Sequence, residues 1–229
     1  MRRILLVSLL VAAAAAFVAS PASATNECRG LQICVPVSGP WVSVPPKGAA
    51  VEFQLSCPRS YVVGGLDSEL SVREIDIAFR GLNGSPVSPG LTTTGDAVFV
   101  ATYVGVGAAA PTFRPHIGCV PTAGSAGRIP TSFRAFPPGK PTVRHIREVR
   151  LAAGARRVTL GCAGNERLVG GTHALGFFTP GPPTVELVKS VVASRALRAG
   201  RVVVSVRASA AIRGGHTILQ VGAICAPEQ

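Results

Sequence analysis

Leu55-Ser-Cys-Pro-Arg-Ser-Tyr-Val-Val-Gly-Gly65 and Leu160-Gly-Cys-Ala-Gly-Asn-Glu-Arg-Leu-Val-Gly-Gly171 are two versions of one pattern. Each has a Leu two residues before a Cys, then a polar turn, then Val-Gly-Gly. Their far ends match as well: Ile117-Gly118-Cys119-Val120-Pro121 parallels Ala223-Ile224-Cys225-Ala226-Pro227. The two cysteines are 62 residues apart in the first copy and 63 in the second. Between them, Val98-Phe99-Val100 parallels Val202-Val203-Val204. Four correspondences in register read as a tandem repeat. Within the second copy, Val158, Leu160 and Cys162 alternate with polar or small residues. So do Val202, Val204, Val206 and Ala208, and again Leu219, Val221, Ala223 and Cys225. Period-two alternation is the mark of half-buried strands, and it turns both cysteines toward the apolar side.

The repeat assigns Cys57 to Cys119 and Cys162 to Cys225, which leaves Cys28 and Cys34 to close a short loop. Six cysteines alone allow 15 connectivities, so the repeat makes the choice. By loop entropy each long bridge is worth roughly 4 kcal/mol and the short one about 2 kcal/mol. The fold expected is all-β: two tandem disulfide-closed β-sandwiches on an immunoglobulin-like plan, following a signal peptide. The Trp that packs against the bridge of true immunoglobulin domains is missing, since Trp41 precedes Cys57 and has no counterpart. Asn83-Gly84 signals a hairpin turn. No stretch has a convincing helical period.

The N-terminus explains why disulfides are expected. Arg2 and Arg3, an uncharged run from Ile4 to Val18, and Ala22-Ser23-Ala24 form the three parts of a secretory signal. Cleavage is expected before Thr25, with no transmembrane anchor left, and an even cysteine count suits an exported chain. The segments expected are a signal peptide at 1–24, an N-terminal disulfide loop at 25–36 and β-sandwiches at 37–123 and 142–229. A Pro/Gly-rich basic linker joins the sandwiches at 124–141. A fragment from Pro141 onward is expected to fold alone. The localisation expected is secreted or extracytoplasmic.

The pattern Cys, Val-Gly-Gly, strands, Cys-x-Pro resembles domains of uncharacterised exported proteins of high-GC bacteria. The 20 Arg against 3 Lys fit such a source. The resemblance implies no activity.

Charge is the one functional signal. Without Arg2 and Arg3 the chain has 21 basic against 11 acidic residues, a net +10. Val51 to Val120 carries four Arg against six acids, whereas Pro121 to Arg157 carries eight bases against Glu148 alone. Arg144, Arg147, Arg150, Arg156 and Arg157 are the densest group, and are the candidate binding residues for an anionic envelope polymer or lipid head group. A solvated segment in an Arg-biased chain would look the same. Export argues against nucleic acid as the physiological target.

Catalytic signals are missing. There is no Gly-x-Ser-x-Gly, no Ser-x-x-Lys and no His-Glu-x-x-His. His116, His145, His173 and His216 show no metal-ligand spacing. His173 and His216 both flank Gly-Gly and are the one pair with a prospect of meeting. Asp67, Glu69, Glu74, Asp76 and Asp96 form the only acidic group, read as solvated strand edges. No metal and no cofactor are expected. The function expected is a non-enzymatic binding or structural protein. The alternatives are an exported hydrolase with a dispersed site, or a secreted inhibitor or effector.

Overall fold

A computed structural model describes residues 25–80, 95–107, 110–121, 142–212 and 216–228. The signal sequence, the Asn83-Gly84 turn and the basic linker lie outside these residues. The described chain is all-β. Its first half has β1 (Val35–Ser38), β2 (Trp41–Ser43), β3 (Ala50–Ser56), β4 (Tyr61–Leu70), β5 (Ile75–Arg80), β6 (Asp96–Tyr103) and β7 (Thr112–Pro121). The second half has β8 (Val143–Arg150), β9 (Gly154–Gly161), β10 (Glu166–Phe178), β11 (Val191–Arg198), β12 (Arg201–Ala208) and β13 (His216–Pro227). One short helix, α1 (Val185–Lys189), is capped by Thr184, whose hydroxyl accepts from the Leu187 N–H. Five residues are too few to show a helical period in the sequence.

Among the described residues all pairing is antiparallel. In the first half β7 lies between β4 on one edge and β1 and β2 on the other, and β6 lies between β3 and β5. In the second half β13 lies between β10 and β8, and β12 between β9 and β11. The strand plans correspond element by element. The halves also share a sheet, because β2 pairs with β10 through Trp41↔Phe177 and Val42↔Gly176. A seven-stranded central sheet results, with a three-stranded sheet packed against each of its faces.

Trp41 and Val42 show why two cores form. Neighbouring residues on a strand point to opposite faces. Val42 joins Phe53, Phe99, Phe113 and Ile117 in the first core. Trp41 crosses into the second, with Phe177, Val202, Val204, Leu219 and Val221. In return Ala174 and Ile218 of the second half pack in the first core.

The three disulfides are those the repeat assigned: Cys28–Cys34, Cys57–Cys119 and Cys162–Cys225. Each long bridge ties the central sheet to the strand end of an outer sheet, after β3 or after β9. Disulfides of this number fit an oxidising, extracytoplasmic setting. Among the described residues no helix is long and apolar enough to cross a membrane.

The Val-Gly-Gly motif marks a β-bulge. Val63 pairs with Cys119 and Gly65 with Gly118, so Gly64 is the extra residue. Leu168 pairs with Cys225 and Gly170 with Ile224, so Val169 is extra. The bulge sits at the same distance from the first cysteine in each half, which shifts the glycine pairs by one. Counted from the glycine pairs Asp67 would match His173; counted from the bulge, Asp67, opposite His116, corresponds to Thr172, opposite Gly222. Both positions are mid-strand rather than turns. Gly65 and Gly118 are glycines of close approach: a Cβ on either would run into the carbonyl of Glu27, which the Cys28–Cys34 loop lays over β4 and β7.

Candidate functional site

The five candidate arginines do not form one surface. Strand alternation on β8 sends Arg144 toward the first half. Its side chain is only 4% exposed, its Nη2 lies 2.5 Å from Glu52 Oε2, and Nη1 reaches Thr172 Oγ1 at 3.5 Å. Glu52 is also 3.6 Å from Arg80. Beside it, the Gln220 amide holds the β3 backbone from both sides, accepting from Gln54 N–H (2.7 Å) and donating to Gln54 C=O (2.9 Å). Arg144 is thus a clamp between halves. Arg147 and Arg150 are exposed on β8; Arg147 donates to Thr159 O at 3.5 Å, and Arg156 donates to Arg150 O at the same distance. Arg157 alone turns onto the outer face of the β9–β12–β11 sheet.

That outer face is a charged surface of a single sign. Val202, Val204, Val206 and Ala208 of β12 are buried against the core. Their neighbours Arg201, Val203, Ser205 and Arg207 therefore face outward. Pairing registers set the rows across the three strands: Ala155–Arg207–Val192, Arg157–Ser205–Ser194, Thr159–Val203–Ala196 and Gly161–Arg201–Arg198. The three strands carry six Arg and no Asp or Glu. Arg157, Arg198, Arg201 and Arg207 form no ion pair or side-chain hydrogen bond with any described residue. Arg198 and Arg201 directly oppose each other across the Ala199-Gly200 turn, whose residues both have positive φ (47° and 68°) as a two-residue hairpin requires. Like charges opposed across a ladder are destabilising, so this end of the face favours an anion.

Small side chains recess the middle of the face. A groove of about 610 Å³ runs over Arg157, Val192, Ser194, Ser205 and Arg207. A second, of about 290 Å³, runs over Arg157, Thr159, Ser194, Arg198 and Ser205. They share Arg157, Ser194 and Ser205 and form one furrow with a hydroxyl floor and guanidinium walls.

Three other clusters bear on chemistry. His116 is buried between β1, β4 and β7, with Nδ1 2.9 Å from Ser38 Oγ and Nε2 3.4 Å from Glu69 Oε1. Burial lowers its pKa, against the opposing pull of Glu69 and Glu27. Ser, His and Glu in this order invite comparison with a hydrolase. The backbone beside Ser38 has no donor to spare, however: Gly39 N–H is bonded to Pro115 O at 2.8 Å, and Pro40 has none. Ser38, His116 and Glu69 tie β1, β7 and β4 together through these side-chain contacts.

His145 and Glu166 form a 2.7 Å pair that, with the Ala163 N–H, lowers the Glu166 pKa. With Cys225 they bring ligand-type atoms within 4.8 Å of one another, but that sulfur is held in the Cys162 bridge.

His173 lines a cleft of about 560 Å³ between the halves, with Glu52, Thr172 and Arg195. Burial, then Arg195, lowers its pKa. It does not meet His216, which lies opposite Phe178 five residues further along β10, about 17 Å away at strand rise. The five acids are also dispersed. Asp67 accepts from the Asn26 N–H, Glu69 faces His116, and Asp96 accepts from Gln54 and Ser56 in the other sheet.

The sequence reading missed Arg198, Arg201 and Arg207. The signal was present in the alternation of β12, whose buried valines fix which residues face outward. Comparison with protein-family models, curated proteins and solved structures finds no match.

Proposed function

We propose that the chain is an exported, non-enzymatic binding or structural protein that associates with an anionic surface of the cell envelope. We further propose that its two halves descend from a tandem duplication. The supporting observation is the outer face of the β9–β12–β11 sheet: four Arg, no acid, and all four guanidinium groups unpaired among the described residues. Guanidinium suits this role because its planar fork matches phosphate and carboxylate. The corresponding sheet of the first half, β3–β6–β5, carries Glu52, Asp76 and Asp96, so the basic face belongs to the second half alone.

The experiment is retention of the mature protein on envelope fractions at low and high salt. Wild type is compared with a variant carrying Arg157→Gln, Arg201→Gln and Arg207→Gln. Retention should fall steeply with salt, since exposed charges are screened beyond about 8 Å at physiological ionic strength. The triple variant should be retained weakly at every salt. Equal retention of the two proteins, or retention indifferent to salt, would remove this reading.

A further inference from the structure

Resting on that reading of the face as anion-binding, we infer that its ligand is a linear phosphodiester polymer laid in the furrow along β12. Three features single out a polymer chain over a lipid surface.

The first is shape. The floor of Ser194 and Ser205 is bordered by Arg157 on β9, by Arg207 at one end on β12 and by Arg198 at the other end on β11. A single extended chain can reach those hydroxyls and the guanidinium walls together, whereas a bilayer surface meets only the rims.

The second is period. Outward residues on one strand recur about every 7 Å, twice the rise per residue. On β12, Arg207, Ser205 and Val203 line the furrow in successive rows, and Arg201, paired with the lining residue Arg198, completes the last row, about 20 Å in all. Donors thus stand at three of the four rows on β12, and Thr159 supplies one in the remaining row from β9. A polymer whose phosphates are separated by a short polyol spacer presents anions at a comparable interval. A compact anion would use one row and leave the rest idle.

The third is composition. The three strands contain no Phe, Tyr or Trp. Membrane-interface surfaces use aromatic residues as anchors, and sugar or base recognition uses aromatic platforms for stacking. Neither is offered, so recognition rests on the charged backbone of the ligand.

The test uses synthetic poly(glycerol phosphate) of graded length, monomeric glycerol phosphate, and phosphatidylglycerol vesicles, with binding followed by titration calorimetry and co-sedimentation. Affinity for the polymer should rise with length until the chain spans about 20 Å and then level off. The salt dependence should flatten by about 0.7 in log–log slope for each of Arg157→Gln, Arg201→Gln and Arg207→Gln, as one counterion release is lost each time. Ser194→Ala with Ser205→Ala should weaken binding several-fold with the salt slope unchanged. Circular dichroism and thermal midpoints of the variants separate lost binding from lost folding, since all five side chains point away from the core.

Binding to vesicles without binding to polymer, or equal affinity for monomer and polymer, overturns the polymer inference and leaves the anion-binding reading standing. No binding to any of the three at low salt overturns both.

Discussion

The Arg144 guanidinium and the Glu52 carboxylate meet at 2.5 Å across the line between the two halves, with the Arg144 side chain 4% exposed and that of Glu52 16%. Each comes from a half whose net charge it helps to set, and each neutralises the other where water is largely excluded. A paired buried charge adds little net stability, but an orphaned one is costly. Arg144→Ala should therefore destabilise the protein by about 3–5 kcal/mol in urea unfolding, with Arg80 at 3.6 Å from Glu52 moderating the loss. Arg144→Met combined with Glu52→Gln should recover most of it. Equal losses in the single and double variants would mean that the pair is not a unit.

Trp41 is supplied by the first half and buried at 3% exposure in the second. Trp41→Ala should cost about 3–5 kcal/mol. A fragment from Pro141 to Gln229 keeps its own disulfide and valine-rich strands, yet lacks this side chain and the β2 partner of β10. It is expected to unfold cooperatively at a lower denaturant midpoint than the intact chain. A midpoint equal to that of the intact chain would show that the shared sheet contributes nothing to the second half.

Removing the Cys162–Cys225 bridge by a double substitution to Ala should cost about 4 kcal/mol, given its 63-residue span. The Cys28–Cys34 bridge, spanning 6 residues, should cost about 2 kcal/mol. Non-reducing peptide mapping should recover each of the three linked peptide pairs, and a Cys57–Cys162 link would contradict the fold.

Burial lowers the pKa of His116 and of His173 below the usual 6.5. Above that value both imidazoles are neutral in the folded and unfolded chain, and stability is unaffected. As pH falls below about 6.5 the unfolded chain takes up protons first, so stability declines until the folded pKa values are passed. Urea midpoints should be flat from pH 8 to 7 and fall between pH 6.5 and 5. The pair His116→Asn and His173→Gln should blunt that fall. An unchanged slope in the double variant would place the acid sensitivity elsewhere.

Strand periodicity, cysteine pairing and the all-β class were legible in the sequence because each is a local signal or a spacing. The shared sheet was not. The β2–β10 junction is two residue pairs long, and nothing in Trp41-Val42 announces that its neighbours will enter different cores. The density of arginine misled for a physical reason. The five arginines fall on two strands in different sheets, and alternation divides each strand between two faces, so Arg144 of β8 became an internal clamp while Arg157 of β9 reached the outer face. The face that emerged draws on Arg157, Arg198, Arg201 and Arg207, which antiparallel pairing brings together. The outward set of β12 could have been read as the complement of its valines. Its neighbours on β9 and β11 required the register.

A surface whose only ionisable groups are arginines keeps its charge at every pH where the chain stays folded. The groups whose proton affinities are shifted, His116, His173 and Glu166, lie off the outer face of β9–β12–β11. Acidification thus acts on the integrity of the scaffold, whereas ionic strength would act on the anion binding proposed for that face. On the proposed reading, a cell surface carrying this protein would release it on a rise in salinity and retain it through mild swings in acidity.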